Sequence, residues 1–251
     1  MSTPSHPHNR HAFEIAIICA LPLEADAIEA LFDHHWDDGP PFDKVINDPN
    51  TYTTGVLGCH NAVLAHMPGM GLVNAAALGS ILRASFPGIK LALVVGICGV
   101  VPFSPSGDRI VLGDVIISTG LIQYDFGRFL PGRFVRKDKL LDSLSRSNQE
   151  IRGVLAKLET LRGRNQLSAK LVGYLDENCQ QPDLRANYPA SANDKLFKAS
   201  YYHMEDQKSC AQLQCNGELI SWNRLEKGAD PAPAIHFGLI NSVQKCGYEV
   251  W

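Results

Sequence analysis

The chain has 251 residues, with 23 Lys and Arg against 26 Asp and Glu, 45% hydrophobic and 20% charged residues. That balance belongs to a folded globular protein, and a formal net charge of −3 offers no field for a nucleic-acid backbone. The longest apolar run, 91–101, has eleven residues including two glycines, well short of the ~20 that cross a bilayer.

Seven cysteines, odd in number and scattered, suit a reducing compartment, so a cytoplasmic protein is expected. Cys19 and Cys98 lie inside apolar runs and are expected as small buried hydrophobes. Residues 1–12 are polar, with three His and two Pro, and read as a disordered tail rather than a signal or an anchor.

From residue 13 onward strand and helix patterns alternate. Residues 15–21 (IAIICAL) form a short continuous apolar run, expected as a strand covered on both faces. Pro22 then suits the first turn of a helix that continues through Ala27, Ile28, Leu31 and Phe32. Residues 51–57 and 61–67 flank Gly58-Cys59-His60 and predict a hairpin. Residues 74–85 are rich in Ala and Leu and stop before Pro87-Gly88, predicting a helix. Two more strands are expected at 91–97, buried, and at 113–118. Strands separated by helices imply a mainly parallel sheet, whose ligands meet the carboxyl ends of its strands. The segments after Leu21, Met67, Ile97 and Ser118 are therefore where chemistry is sought.

After about residue 140 the texture changes. Residues 140–161 predict one or two amphipathic helices interrupted near Ser147-Asn148. Residues 162–233 are polar and weakly periodic, and no element is placed there. Residues 235–240 (IHFGLI) return to strand texture.

Several chemistries lack their motifs. There is no G-x-x-x-x-G-K-[ST], no H-E-x-x-H and no G-x-S-x-G. Residues 68–74 (PGMGLVN) partly match a dinucleotide fingerprint, but Asn74 takes the place of the third glycine and no ribose-binding acid follows the next strand. His203, Cys210 and Cys215 could be three zinc ligands, with Glu205 or Asp206 as a fourth. A single Cys-x4-Cys is a weak signature, so ordinary thiols and no metal are expected. Arg128, Arg133, Arg136, Lys137 and Lys139 form a basic cluster, read as a solvated face, with an anion site at a subunit boundary as the alternative. The adjacent His34 and His35 have no partner identifiable from the sequence.

Four segments together, 15–24 (IAIICALPLE), 68–76 (PGMGLVNAA), 94–99 (VVGICG) and 113–118 (GDVIIS), carry a family signature. Their order and spacing resemble the nucleoside phosphorylase superfamily, which includes purine and uridine phosphorylases and the methylthioadenosine nucleosidases. The form common in filamentous fungi is the most similar, and its signature continues through 123–128 (QYDFGR) and 134–138 (FVRKD). The resemblance covers about residues 13–240 and implies a three-layer α/β/α sandwich with a mixed central sheet. Residues 13–251 are then one domain, with about 140–234 a family-specific insertion.

The resemblance also implies a reaction: cleavage of the N-glycosidic bond of a purine nucleoside, adenosine-like, through an oxacarbenium-like transition state. Glu24 matches the Glu that activates water in the nucleosidases and is the expected catalytic residue. A carboxylate repels phosphate but suits a base for water. Val94 and Ile97, where phosphorylases place groups for phosphate, cannot neutralise it. Hydrolysis is therefore favoured over phosphorolysis. Met70 falls where the nucleosidases set an apolar residue against the 5′ end. Gly96, Ile97, Cys98 and Gly99 match the loop beside ribose and base, and Ala20 joins the expected substrate-binding set. No cofactor is expected, and phosphate is a co-substrate only in the phosphorylase alternative. The expected partner is a small nucleoside, with no nucleic acid and no membrane, and a homo-oligomer is compatible with the resemblance.

One departure stands out. The family follows the strand matching 235–240 with a Met-Glu pair that holds ribose and a Ser-Asp segment that supplies the acid. Here 241–247 (NSVQKCG) resembles that loop with residues deleted, and neither segment follows. Met204-Glu205 lies upstream and is not that pair. A C-terminally truncated copy is expected, lacking its last strands and helices. A catalytically dead or repurposed purine- or partner-binding remnant is therefore the main alternative to an enzyme.

Overall fold

The computed structural model describes residues 5–36, 42, 44–100, 110–123, 126–137, 147–180, 184, 194–198, 200–205, 208–220 and 233–242. They fall into two compact units, Met1–Cys98 and Gly99–Trp251.

The first unit is built on a five-stranded sheet. Its strands are β1 (Ile15–Cys19), β2 (His34–His35), β3 (Thr51–Leu57), β4 (His60–His66) and β5 (Leu91–Val94), in the order β2-β3-β4-β1-β5. β1 lies between β4 and β5 and is parallel to both, pairing Ile17 with Leu64 and with Leu93. β3 and β4 form the expected antiparallel hairpin, joined at Gly58-Cys59, and β2 adds antiparallel to β3. The sheet is thus mixed rather than mainly parallel. Helix α1 (Pro22–Glu29) follows β1 with Pro22 in its first turn, and α2 (Leu72–Ser85) follows β4.

Alternation along the strands sorts side chains into two layers. Ala16, Val63 and Ala65 pack with Leu78, Leu82 and Phe86 at α2, joined by Phe13 and Trp36. Ile17, Cys19, Ala62 and Leu64 pack on the other face with Ala25 of α1 and Phe32. Helices on both faces of a sheet make three layers. Full burial of a side chain such as Leu64 or Leu78 contributes roughly 1.5–3 kcal/mol.

Three expectations need correction in this unit. β5 ends at Val94, and Leu93 and Val94 are exposed, because β5 is the sheet's edge strand among the described residues. Cys98 is exposed, in contrast to buried Cys19. Within the stretch read as a tail, the His6 ring stacks on Phe42 at 4.7 Å and Arg10–Ala12 form a 3-10 turn capped by Asn9. Aromatic rings from later in the chain supply a surface that the polar local sequence does not advertise.

Polar groups fix the unit's margins. Ser85, at the end of α2, is fully buried and hydrogen-bonds Asp48, which also accepts from the Tyr52 hydroxyl at 2.9 Å and from the Asn50 main chain. Burial opposes the Asp48 charge, yet these hydrogen bonds, Ser85 foremost, hold its carboxyl below the usual range. At the start of β1, Glu14 accepts from Lys90 Nζ at 2.6 Å and lies 2.8 Å from His60 Nδ1. The His60 hydrogen bond, then that from Lys90, lowers the Glu14 pKa to about 2.

Among its described residues the second unit has two small sheets and a helix pair. β6 (Val115–Gln123) pairs parallel with β9 (Ile235–Ser242), with a register shift between Ser118 and Gly120. Asp114 holds this pairing. Its carboxylate is almost fully buried, accepts from Ala234 N at 2.8 Å and lies 3.0 Å from His236 Nε2. A hairpin of β7 (Gly127–Leu130) and β8 (Arg133–Arg136) turns at Pro131-Gly132, where Gly132 adopts φ 78°. That left-handed value at the second turn position selects glycine. Arg128, Arg133 and Arg136 are exposed on the hairpin, whereas Lys139 lies outside the described residues.

α3 (Gln149–Glu159) starts where the sequence places an interruption, with Asn148 as its cap, while 140–146 lie outside the described residues. α4 (Leu161–Cys179) is a 19-residue helix in a stretch where no element was expected. Two glycines and many polar residues mask its short apolar line, Leu167, Leu171 and Leu175. Thr160 separates the two helices, its hydroxyl bonding Lys157 O and Gly163 N.

Two predictions follow from these margins. The Glu14 carboxyl titrates at about 2 when folded and near about 4.3 when unfolded. Its stabilisation is therefore complete above the upper value and is lost as pH falls toward the lower one. Glu14→Gln should flatten the fall of Tm across that acid window, and a variant tracking wild type there would show that the cluster contributes nothing. Asp114→Ala strands buried donors and should lower stability by about 1–3 kcal/mol, with Asp114→Asn losing less. Equal, negligible losses in urea melts would refute that role.

Candidate active site

The carboxyl ends of β1, β4 and β5 lie side by side because β1 runs parallel to both neighbours, aligning Cys19 with His66 and Ile18 with Val94. The chain leaves β1 through Ala20 and Leu21 and enters α1 at once. Glu24 is the third helical residue, and its side chain folds back over the turn. Oε2 accepts from Ala20 N and from Leu21 N, each at 3.0 Å. Oε1 accepts from Ile97 N at 2.9 Å. This is half of a capping box: Glu24 satisfies the cap residue's N–H, and Leu21 has no side-chain oxygen to return the bond.

Gly96 is required beside this carboxylate. A Cβ there would stand 2.6 Å from Glu24 Oε1 and 3.0 Å from Cδ. Any larger residue would push the carboxylate off its three donors.

A carboxylate offers about four acceptor sites. Three are filled by main-chain N–H groups, so one on Oε1 remains for a water or a substrate hydroxyl. Residues at and just beyond these strand ends are apolar and open: Met70, Val94 and Ile97 are 72%, 82% and 74% exposed. Cys19 lies beneath, and burial, aided by the Glu24 charge, pushes its thiol up to about 11. It is therefore a packed thiol, not a nucleophile.

After β4 the chain turns through Pro68–Gly71 into α2, with Gly71 at φ 113°. Asn74 spans that turn, its amide donating to Gly69 O at 3.1 Å and to Met70 O at 3.2 Å. The residue that breaks the dinucleotide pattern thus fixes the loop that carries Met70.

Of the residues expected at the site, Ala20, Glu24, Gly96 and Ile97 meet directly through these bonds and this close approach. Met70 stands on the loop after β4 and Cys98 follows Ile97, while Gly99 is the first residue of the second unit. Ile97 takes part through its main chain, its N–H donating to Glu24 Oε1. A further polar group went unread: Thr53 Oγ1 bonds both Glu29 Oε1 and His66 Nε2, each at 2.9 Å. It links α1 to the hairpin. Only the β3–β4 register assembles it, so no local signal could have shown it. Residues 243–251, where the family's acid and ribose clamp were sought, lie outside the described residues.

Elsewhere, His203, Cys210 and Cys215 do come together, their ligand atoms all within 4.8 Å of one another. Asp206 lies outside the described residues. No helix among the described residues is long and apolar enough to cross a membrane.

Fold and crevice define an α/β protein whose candidate site sits at the carboxyl ends of parallel strands. A family model described as the Phosphorylase superfamily matches residues 14–178, and the chain belongs to that superfamily. It is 30% identical over 193 residues to a nucleotide-binding leucine-rich repeat (NLR)-like protein of Hyaloscypha variabilis, across 74% of this chain and 18% of that protein. The chain thus spans about a fifth of that curated relative.

Among solved structures it is similar to the 5′-methylthioadenosine/S-adenosylhomocysteine nucleosidase of Neisseria meningitidis in complex with methylthio-immucillin-A. That match has 16% identity and a TM-score of 0.48, and covers 92% of this chain and 65% of the other. Futalosine hydrolase of Helicobacter pylori matches at 19% identity and a TM-score of 0.36, covering 52% of this chain and 55% of the other.

Gly96→Ala should cost about 1.5–3 kcal/mol, the worth of a hydrogen bond to a charged group. In a Glu24→Ala background the same change should cost much less, because no carboxylate remains to displace. Equal losses in both backgrounds, measured by denaturant unfolding, would show that Gly96 does not act through Glu24.

Proposed function

We propose that the chain cleaves the N-glycosidic bond of an adenosine-like purine nucleoside, with water as the nucleophile and Glu24 as its general base. The observation that carries this is the Glu24 carboxylate, fixed at the strand ends with one acceptor site free and with apolar residues at and just beyond those ends. A base must be held at hydrogen-bond distance from the proton it takes, and three main-chain donors hold this one still. Phosphate would bring about two negative charges next to a carboxylate, and Met70, Val94 and Ile97 offer nothing to neutralise them. Superfamily membership supports the reaction class.

The reaction runs as follows. Glu24 Oε1 accepts a proton from water as the water oxygen bonds the anomeric carbon. The C–N bond breaks, its electron pair leaves with the purine, and a solvent water protonates the departing purine. Gly96 and the Ile97 main chain keep the carboxylate in place, and Met70 offers an apolar wall for the 5′ substituent.

A second reading is a purine-binding module without turnover. It is favoured by the same carboxylate, since three of its four acceptor sites already serve the main chain.

The test uses the 251-residue chain with adenosine and with 5′-methylthioadenosine, following adenine by HPLC with and without phosphate. Adenine should appear without phosphate, and Glu24→Gln should slow it by roughly 10²–10⁴-fold. Release only when phosphate is supplied would make the chain a phosphorylase. Saturable binding with no release under either condition would establish the second reading.

A further inference from the structure

The stretch 194–220 has no α-helix among its described residues, and one isolated bridge, between Phe197 and Leu219, closes it. Lys198 N donates to Glu218 O at 3.0 Å and Ile220 N to Leu196 O at 2.8 Å, beside a Lys198–Glu218 ion pair. Inside the loop Phe197 stacks on Tyr201 at 4.7 Å, and Gly217 lies flat against the Tyr201 ring. Tyr202 and Met204 are 72% and 83% exposed, and among the described residues neither buried cluster draws on this stretch. A loop with so little core needs another staple to hold one conformation.

Its Cys-x4-Cys turn is built to bring two sulfurs together. Cys215 N donates to Cys210 O at 3.0 Å, and Gln214 takes a left-handed φ of 51° to allow it. That conformation costs a non-glycine residue about 1–2 kcal/mol. Ser209 and Gln212 brace the turn, Ser209 N donating to Gln212 Oε1 at 2.8 Å and Gln212 N to Ser209 Oγ at 3.3 Å. His203 reaches the same point from the other side of the loop. One ligand atom from each of the three residues lies within 4.8 Å of the others, and all three residues are half-buried.

We propose that His203, Cys210 and Cys215 bind a zinc ion that clamps this loop, a role distinct from the nucleoside chemistry at Glu24. Around a tetrahedral zinc the donors would stand roughly 3.5–3.8 Å apart, so the three need close by only about an ångström. Two thiolates and an imidazole are soft donors that select zinc over magnesium or calcium. Binding expels the two thiol protons to solvent, and the two thiolate charges then neutralise the cation. Glu205 is already engaged by Lys208 at 2.8 Å, so the fourth position falls to water.

The experiment uses the full chain, purified under reductant without chelator. Its metal content is measured by mass spectrometry, and the metal-stripped protein is titrated with Zn²⁺ alone and with Co²⁺ alone. About one zinc per chain is expected, together with a thiolate-to-cobalt charge-transfer absorption. Cys210→Ser combined with Cys215→Ser should abolish both. His203→Ala should weaken zinc binding at least about 10-fold, and Cys59→Ser, an exposed thiol elsewhere, should change neither. The wild-type titration needs no variant to fold. No zinc uptake by the wild-type chain, uptake retained in the double variant, or a Cys210–Cys215 disulfide in the reduced preparation would each overturn the proposal.

Discussion

Three main-chain N–H groups converge on the Glu24 carboxylate, two from the turn leaving β1 and one from the segment leaving β5. A single side chain therefore ties together two strand ends, beyond the sheet hydrogen bonds and the packing of Val95 against the β1 layer. Bonds to an ionised acceptor are among the stronger ones a protein makes. Gly96 permits the approach, and Ile97 contributes through its main chain whatever its side chain does. The local architecture of the crevice, and with it any chemistry there, depends on that one charge being where it is.

The carboxylate is positioned by packing at some distance from it. β1 is an interior strand between β4 and β5, and its side chains enter both buried layers, one packed with α1 and the other with α2, so its exit point is set by both. The parallel register to β4 and β5 aligns the loops that follow them. Asn74 pins the loop after β4, and Glu24 pins the one after β5. Rigid strands thus present loops whose conformations are settled by hydrogen bonds rather than by burial, which leaves Met70, Val94 and Ile97 facing solvent.

Periodicity and punctuation marked much of the first unit. The run 15–21 became β1, Pro22 opened α1, and the 51–66 hairpin formed around Gly58-Cys59, because in each case local pattern and tertiary demand agree. Glu24 was reached only through resemblance, since a first-turn acid is an ordinary helix feature. What could not be read was set by long-range neighbours. Cys98 lies in an apolar run yet is exposed beyond an edge strand. Thr53, Glu29 and His66 meet through a register. α4 has an apolar line too thin to stand out from its glycines and charges. The His203, Cys210 and Cys215 cluster was visible as residue types, but its convergence depends on a left-handed Gln214 that no spacing rule foretells.

The β6–β9 pairing bears on how the chain is made. Val115 finds its partner in Ile235, 120 residues later, and buried Asp114 waits for Ala234 and His236. Every strand of the first sheet, by contrast, lies between Ile15 and Val94. At a synthesis rate of about 5–20 residues per second, β6 would be without its mate for roughly 6–24 s after it is translated. Through that interval an apolar segment with an unsatisfied edge is exposed to other chains in the same position. The nascent protein therefore passes through its most aggregation-prone stage after its first half can already have folded, and chaperone capture would fall on the second.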